Sequence, residues 1–399
     1  MIKKSSKKQI QIGILETYSH VPIIENFCKI FNIKNVHITL FTTKKIKNRL
    51  ESVYKDINRI TILLKKESEG HKKFLKRVEI HCNNKIDLLF INTIKENPLD
   101  LLYYVKFNPK TKTILTIHHV NTWLSKKTKL TTKNPIKVIK TKISIFLIRS
   151  LLIEKFDAIN VIYSPLKEYI KKSTKYDKPV FTLPTSIHEL STKKLKKTNK
   201  KIKIVIPGLI SQRHKSFKPV FKALDALSEK NKKFVQIIIL GRPMKNFGKN
   251  IQEKFLEYKK NGFDIVLFSE FIPDDIYKEE ISRSDILLTP IKTDTKSNIE
   301  IFETYGKTIG SGLLYDAIKY AKPIIVPSDF NILQELNTST MKYKDYNDLQ
   351  NIIEDLIKNK KRLAKLKTEA QKNSKKCSLD FYQKYFKANI LKWLDNDGK

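Results

Sequence analysis

Ten glycines occur in a chain of 399 residues, and three of them fall within seven positions of the stretch Tyr305-Gly306-Lys307-Thr308-Ile309-Gly310-Ser311-Gly312-Leu313-Leu314-Tyr315-Asp316-Ala317. Such a cluster marks a backbone that turns tightly or comes close to something. An apolar segment of helical spacing, Leu313 to Tyr320, follows, then Lys322-Pro323 and the β-type run Ile324-Ile325-Val326. A helix that starts on a glycine loop points its free N–H groups and its positive dipole end forward, which suits a phosphate. An ordinary loop–helix connection has the same pattern. Gly208 closes another short strand and leads to Arg213 and Lys215. These are either fixed cations for a developing negative charge or two solvated charges in a basic chain. His20, in Ser19-His20-Val21-Pro22, opens a helix. An imidazole there suits proton abstraction, or serves as a polar residue at a helix start. His118-His119 directly follows the strand Thr113–Ile117. The one Asp-x-Asp, Asp395-Asn396-Asp397, lies in the last residues, where a frayed tail is expected. No other cluster has metal-ligand spacing, so no metal and no cofactor are expected.

The elements around these residues alternate. β-type runs occur at Gln9–Leu15, Val36–Thr42, Leu88–Ile94, Thr113–Ile117, Asp157–Tyr163 and Val180–Leu183. Helical spacing occurs over Pro22–Phe31, Glu67–Val78 and from Leu166. The alternation restarts with strands at Ile204–Ile206, Phe234–Leu240, Ile265–Phe268 and Asp285–Thr289, and with helices at Phe217–Leu227, Ile251–Lys260 and Ile276–Ile281. Two long helices, Leu349–Leu366 and Leu379–Leu394, end the chain. Strands alternating with helices imply parallel sheets covered on both faces. Between the halves, Ser191–Lys203 carries seven lysines and almost no apolar residue, which predicts a linker. The expected organisation is residues 1–190 as an N-terminal domain, 191–203 as linker, 204–375 as a C-terminal domain, and 376–399 as a helix returning to the first domain. Open parallel sheets bind ligands at the C-terminal ends of their strands. That places Glu16–His20, His118–Trp123 and Ser164 at the ligand side of the first half, and Gly208–Lys215, Gly241-Arg242, Phe271 and the glycine loop at that of the second.

Composition narrows the classes. Forty per cent hydrophobic and thirty per cent charged residues make a globular chain. The formal net charge of +39 implies attraction to polyanions, anionic lipid or phosphorylated substrates. Cys28, Cys82 and Cys377 are far apart without metal spacing, which fits a reducing cytoplasmic interior. The longest apolar block, Ile143–Ile153, is about half of what a spanning helix needs and contains Arg149. Leu101–Leu152 holds eleven Lys/Arg and no acid, and Pro135–Phe156 reads as a helix with apolar residues beside lysines. Such a helix suits an anionic membrane surface, or a core position with a solvated basic face.

Four pieces, in order, resemble the nucleotide-sugar-binding domain of GT-B glycosyltransferases, most closely the retaining group called glycosyltransferase family 4. They are Pro207-Gly208-Leu209-Ile210-Ser211-Gln212-Arg213-His214-Lys215; Ile237-Ile238-Ile239-Leu240-Gly241; Phe268-Ser269-Glu270-Phe271-Ile272 with Ser284-Asp285-Ile286-Leu287-Leu288-Thr289-Pro290; and Glu303-Thr304-Tyr305-Gly306 through Asp316-Ala317 with Lys322-Pro323-Ile324-Ile325. The family's two glutamates seven residues apart are replaced by Glu303 and Asp316 with a longer Gly/Ser insert. In the first half, Thr116–Trp123 resembles the family's segment around a histidine, and His20 faintly resembles the acceptor-deprotonating histidine of inverting relatives.

The resemblance implies an α/β fold of two Rossmann-like βαβ domains facing a cleft. It implies a metal-independent, retaining hexosyltransferase-like enzyme of cell-surface glycan synthesis, moving a sugar from a nucleotide-sugar donor to a saccharide or lipid-linked acceptor. Donor contacts would come from Gly208, Arg213, Lys215, Gly241, Phe271, Lys307, Ser311, Gly312 and Asp316. His118, His20 and Glu303 would serve the chemistry, with Glu303 holding sugar hydroxyls or buttressing the loop. For Asp316 a helix-dipole partner is the plain alternative to a ribose contact, and for Glu303 a solvated loop acid. The enzyme would be cytoplasmic and peripheral on the inner face of a membrane. A GT-B nucleotide-sugar epimerase and a non-catalytic polyanion- or membrane-binding protein are the other readings. No motif for specific nucleic-acid recognition occurs.

Overall fold

The computed structural model describes residues 9–18, 20–54, 57, 59–95, 97–125, 146–188, 201–296 and 301–396. Most of the expected linker (191–200 of 191–203), the first part of the basic helix (135–145) and Asp397 lie outside the described residues. The described residues up to Thr185, together with Lys296, 301–303 and those from Leu379 on, form one compact unit; Ser186–Thr295 and Thr304–Ser378 form the other.

The first unit is built on a seven-stranded parallel sheet of β1 (Ile10–Leu15), β2 (Val36–Thr42), β3 (Ile60–Leu64), β4 (Leu88–Ile91), β5 (Lys112–Ile117), β6 (Ala158–Val161) and β7 (Val180–Thr182). The order is β3-β2-β1-β4-β5-β6-β7. Near-continuous apolar runs such as Leu88–Ile91, buried throughout, are what a strand covered on both faces requires. The helix Val21–Phe31 buries Ile23, Ile24, Phe27, Ile30 and Phe31 against this sheet, with Pro22 in its first turn. The last residues belong to the same unit. Phe386 packs its ring against that of Phe31 with centroids 4.5 Å apart, and Gln383 Nε2 donates to the Lys29 carbonyl at 3.1 Å.

The second unit repeats the plan with β8 (Ile202–Pro207), β9 (Val235–Leu240), β10 (Asp264–Leu267) and β11 (Ile286–Leu288). A short ribbon of β12 (Asp294–Lys296) and β13 (Phe302–Thr304) follows, where the chain passes between the units. Two more strands, β14 (Ile324–Pro327) and β15 (Thr340–Tyr343), complete the sheet. The six-stranded sheet has the order β10-β9-β8-β11-β14-β15, all parallel. Both sheets reverse direction beside their first strand, between β1 and β4 and between β8 and β11. That reversal is the topological switch point at which such sheets bind ligands.

The sequence reading missed β3 and β15. Both are edge strands that keep part of their residues exposed. The expected helix Leu349–Leu366 is two helices, Tyr346–Lys358 and Lys360–Lys375. Asn359 interrupts them, and its side chain caps the second by accepting from the Arg362 N–H at 2.9 Å. Leu379–Leu394 is helical but widens to a π-helix over Phe386–Leu391.

Candidate functional site

In the first unit, Glu16 follows β1 at the switch point and is fully buried. Its Oε2 accepts from Asn92 Nδ2 at 2.7 Å and from Thr93 Oγ1 at 2.7 Å, and its Oε1 accepts from the Tyr18 N–H. Asn92 and Thr93 directly follow β4. Thr93 Oγ1 also lies 2.7 Å from His20 Nδ1. His118, just past β5, has Nε2 at 3.1 Å from the Asn92 carbonyl, so that nitrogen carries the proton. The His20 and His118 rings stack with centroids 4.2 Å apart. Burial pushes the His20 pKa down, with His119 adding to it; burial and then His20 push that of His118 well down. Both shifts favour the neutral imidazole.

Glu303 lies in the same unit with no exposed surface. Its carboxylate accepts the backbone N–H of Thr122 at 2.8 Å and of Asn121 at 3.3 Å, at the start of the helix Val120–Leu124. An anion is favourable there. Asn121 is further held by the Tyr169 hydroxyl and by the Phe302 carbonyl, both at 2.9 Å. Glu303 therefore braces the segment that follows His118-His119 and is no solvated loop acid. Arg149, expected on a basic face, is instead buried over the Trp123 ring and donates to the Thr122 carbonyl at 2.7 Å. Within helical residues 146–155, Phe146, Leu147 and Leu151 are exposed, alongside the polar Ser150 and the acidic Glu154.

In the second unit the glycine loops meet. Gly208 adopts a positive φ of 84°, and a Cβ on Gly241 would come within 2.1 Å of the Gly208 carbonyl oxygen. Only glycine tolerates that approach. Lys215 turns inward beneath this pair. Its Nζ donates to the carbonyls of Pro207 at 2.5 Å and Gly208 at 2.7 Å, and burial pushes its pKa down to about 7. Arg213 is exposed. Lys215 bridges to Ile291 after β11, Ser216 N–H donates to the Pro290 carbonyl at 2.8 Å, and His214 Nδ1 lies 2.9 Å from the Tyr305 hydroxyl. The loops after β8, β9 and β11 and the start of the glycine loop thus form one constellation at the second switch point.

Beyond Tyr305, Gly306 takes φ 73°. Lys307 is exposed, Ser311 caps the helix Gly312–Lys319 by accepting from the Leu313 N–H at 3.3 Å, and Gly312 is exposed at its first turn. Asp316 is buried and accepts from the Tyr277 hydroxyl at 2.7 Å; burial raises its pKa to about 7. Phe271 is 74% exposed after β10. The sequence reading passed over Asn92, Thr93, His214, Tyr305 and Tyr277. For Asn92 and Thr93 a signal existed, since they directly follow a strand at the ligand end of the sheet.

Among the described residues no group of three or more His, Cys, Asp or Glu is placed to hold a metal ion. No helix among them is long and apolar enough to cross a membrane.

No protein-family model matches the sequence, and no curated protein sequence matches it significantly. Solved structures do match over the whole length. A glycosyltransferase from Rickettsia africae aligns with a TM-score of 0.62 at 14% identity, covering 97% of this chain and 98% of that one. Anabaena HepE, solved with UDP and glucose, aligns with a TM-score of 0.62 at 11% identity, covering 96% and 99%. A candidate UDP-N-acetylglucosamine 2-epimerase from Listeria monocytogenes aligns with a TM-score of 0.51 at 13% identity, covering 96% of each chain. Two parallel Rossmann-like units and these likenesses define the class: the chain has the GT-B fold.

Proposed function

We propose that the protein is a glycosyltransferase that moves a sugar from a nucleotide-sugar to a hydroxyl of a saccharide or lipid-linked acceptor in cell-surface glycan synthesis. The observation that carries this reading is the buried, carboxylate-free Lys215 at the second unit's switch point, set among two mutually dependent glycine turns. A cation held by backbone carbonyls, in a position that disfavours its charge, is completed by an anion such as a diphosphate. Arg213, Lys307 and the N–H groups around Ser311 and Gly312 supply further donors to that anion. Phe271 offers an exposed ring to a base, and Asp316 reaches a ribose hydroxyl once Tyr277 gives way. His118 and His20 of the first unit face the acceptor. Transfer without a metal and with retention follows from the resemblance to the retaining group.

Thermal-shift screening against UDP, GDP, ADP, CMP and their sugars is expected to show stabilisation by one nucleotide class. That stabilisation should persist in excess chelator and be reduced in Arg213→Ala. No nucleotide preference at all would leave the polyanion-binding reading standing, and a shift unchanged in Arg213→Ala would remove that residue from the site. The epimerase reading is kept because such a protein shares the fold. It predicts turnover of the donor with no acceptor present.

The same reading extends to location. The exposed Phe146, Leu147 and Leu151, in a chain of net charge +39, suit a peripheral contact with an anionic bilayer on the cytoplasmic side. Sedimentation with anionic vesicles is expected to exceed that with neutral ones. It should fall severalfold in the double variant Leu147→Asp, Leu151→Asp. Equal binding to both vesicle types would end the idea.

A further inference from the structure

The first unit's switch point contains a hydrogen-bonded chain with a fixed direction. Glu16 receives the side-chain amide of Asn92 and the backbone N–H of Tyr18, groups that only donate. Its Oε2 also receives the Thr93 hydroxyl proton at 2.7 Å. A hydroxyl has one proton. Having given it to Glu16, Thr93 Oγ1 can only accept at its 2.7 Å contact with His20 Nδ1. Nδ1 of His20 therefore carries the proton, and in the neutral ring Nε2 carries a lone pair. The His20 side chain is 40% exposed, so the ring reaches solvent while its other edge is tied down. The stack on His118 fixes the ring plane, and His118 is itself oriented by the Asn92 carbonyl. Two consecutive residues after β4 thus set both imidazoles.

We infer that Glu16 and Thr93 form a positioning relay that holds His20 as the Nδ1–H tautomer and presents Nε2 as a hydrogen-bond acceptor to a hydroxyl group of the acceptor substrate. The identity of the ligand as a saccharide rests on the glycosyltransferase reading; the tautomer does not. The site favours a group that donates, such as a sugar hydroxyl. It disfavours a carbonyl or carboxylate, which would meet a lone pair. Glu16 and Thr93 touch no substrate in this scheme; they act through His20.

The relay is tested without any substrate, on the full-length chain labelled with [15N]histidine. Two-bond proton–nitrogen correlation spectra near pH 7.5 distinguish a protonated from an unprotonated ring nitrogen, and the His20 signals are assigned by their loss in His20→Gln. The expected result is an unprotonated Nε2 and a protonated Nδ1 for His20, preserved in Thr93→Ser and shifted toward the Nε2–H tautomer in Thr93→Val. A His20 found as the Nε2–H tautomer in the unmodified protein overturns the inference, as does a Thr93→Val spectrum with His20 unchanged. The spectrum of the unmodified protein decides the tautomer even if the valine variant fails to fold. Failure of the nucleotide screen with the expected tautomer present would discard the transferase reading and leave the relay.

Discussion

Lys215→Met is expected to cause the largest loss of donor binding of any single change in the second unit. Methionine nearly matches the lysine stem, so the interior stays filled. What goes is the ammonium at the meeting of the Gly208 and Gly241 turns. Removing one partner of a buried, hydrogen-bonded charge pair costs about 2–5 kcal/mol, or roughly 30-fold and upward in affinity. The surface position of Arg213 makes its loss milder. Lys215 also gives binding a pH signature. Its pKa is near 7 without ligand, through burial, with Arg213 and His214 as its sequence neighbours and no carboxylate bonded to Nζ. A bound diphosphate favours the protonated form and raises that pKa. Below pH 7 the lysine is already charged and affinity is full. Above pH 7 a proton must be taken up, and affinity falls by about tenfold for each further pH unit until the raised pKa of the complex is reached. A nucleotide-sugar is the right probe, because both its phosphates are esterified and do not titrate in this range. Calorimetric affinities for the sugar donor at pH 6 and pH 8 check this. Equal values at both, or a Lys215→Met protein that binds normally, would place the diphosphate elsewhere.

Gly306→Ala is expected to damage folding of the second unit, not only its binding. A Cβ at this position would lie 1.8 Å from the Asn331 carbonyl oxygen and 2.7 Å from its carbon, at a φ of 73°. The left-handed backbone alone costs about 1–3 kcal/mol for a residue with a side chain. The contact is with backbone and cannot be relieved by a rotamer change, so the combined effect reaches about 4 kcal/mol, among the larger single-residue losses. For a unit of this size that is a fall of about 10 °C in Tm. Gly312→Ala is the control. No atom lies within 4 Å of a Cβ there, and φ is not positive. It should melt within about 2 °C of the unmodified chain. Differential scanning calorimetry separates the two; equal melting of all three proteins would show that the Gly306 turn can move aside.

The parts of this structure legible in the sequence are those where burial leaves a continuous mark. The central strands read as unbroken apolar runs, and the ligand-side loops followed from the rule that open sheets bind at their strand ends. The edge strand β15 carries no such mark because polar and apolar residues alternate along Thr340–Tyr343, while β3, Ile60–Leu64, is an apolar run that the reading missed. The site is legible to the level of residue type only. Lys215 and Arg213 look alike in sequence, yet one is buried against two carbonyls and the other exposed. Nothing local to Glu303 signals that its carboxylate caps a helix more than 180 residues earlier in the chain. Glu16 reads as the first polar residue after a strand. Its role comes from β4 lying beside β1, which is a fact of topology and not of spacing. Arg149 interrupts an apolar block and reads as a surface charge, but an aromatic face and a free carbonyl take it inside.

The formal charge of the chain counts every lysine as positive and every aspartate as negative. The second unit does not honour that count at neutral pH. Lys215 and Asp316, drawn from opposite ends of the ordinary pKa scale, are both brought to about 7 by burial. Burial disfavours the charged form of each, the ammonium as much as the carboxylate. Two charges in the region assigned to the donor are thus held in reserve, and a proton or an arriving anion decides which of them is switched on.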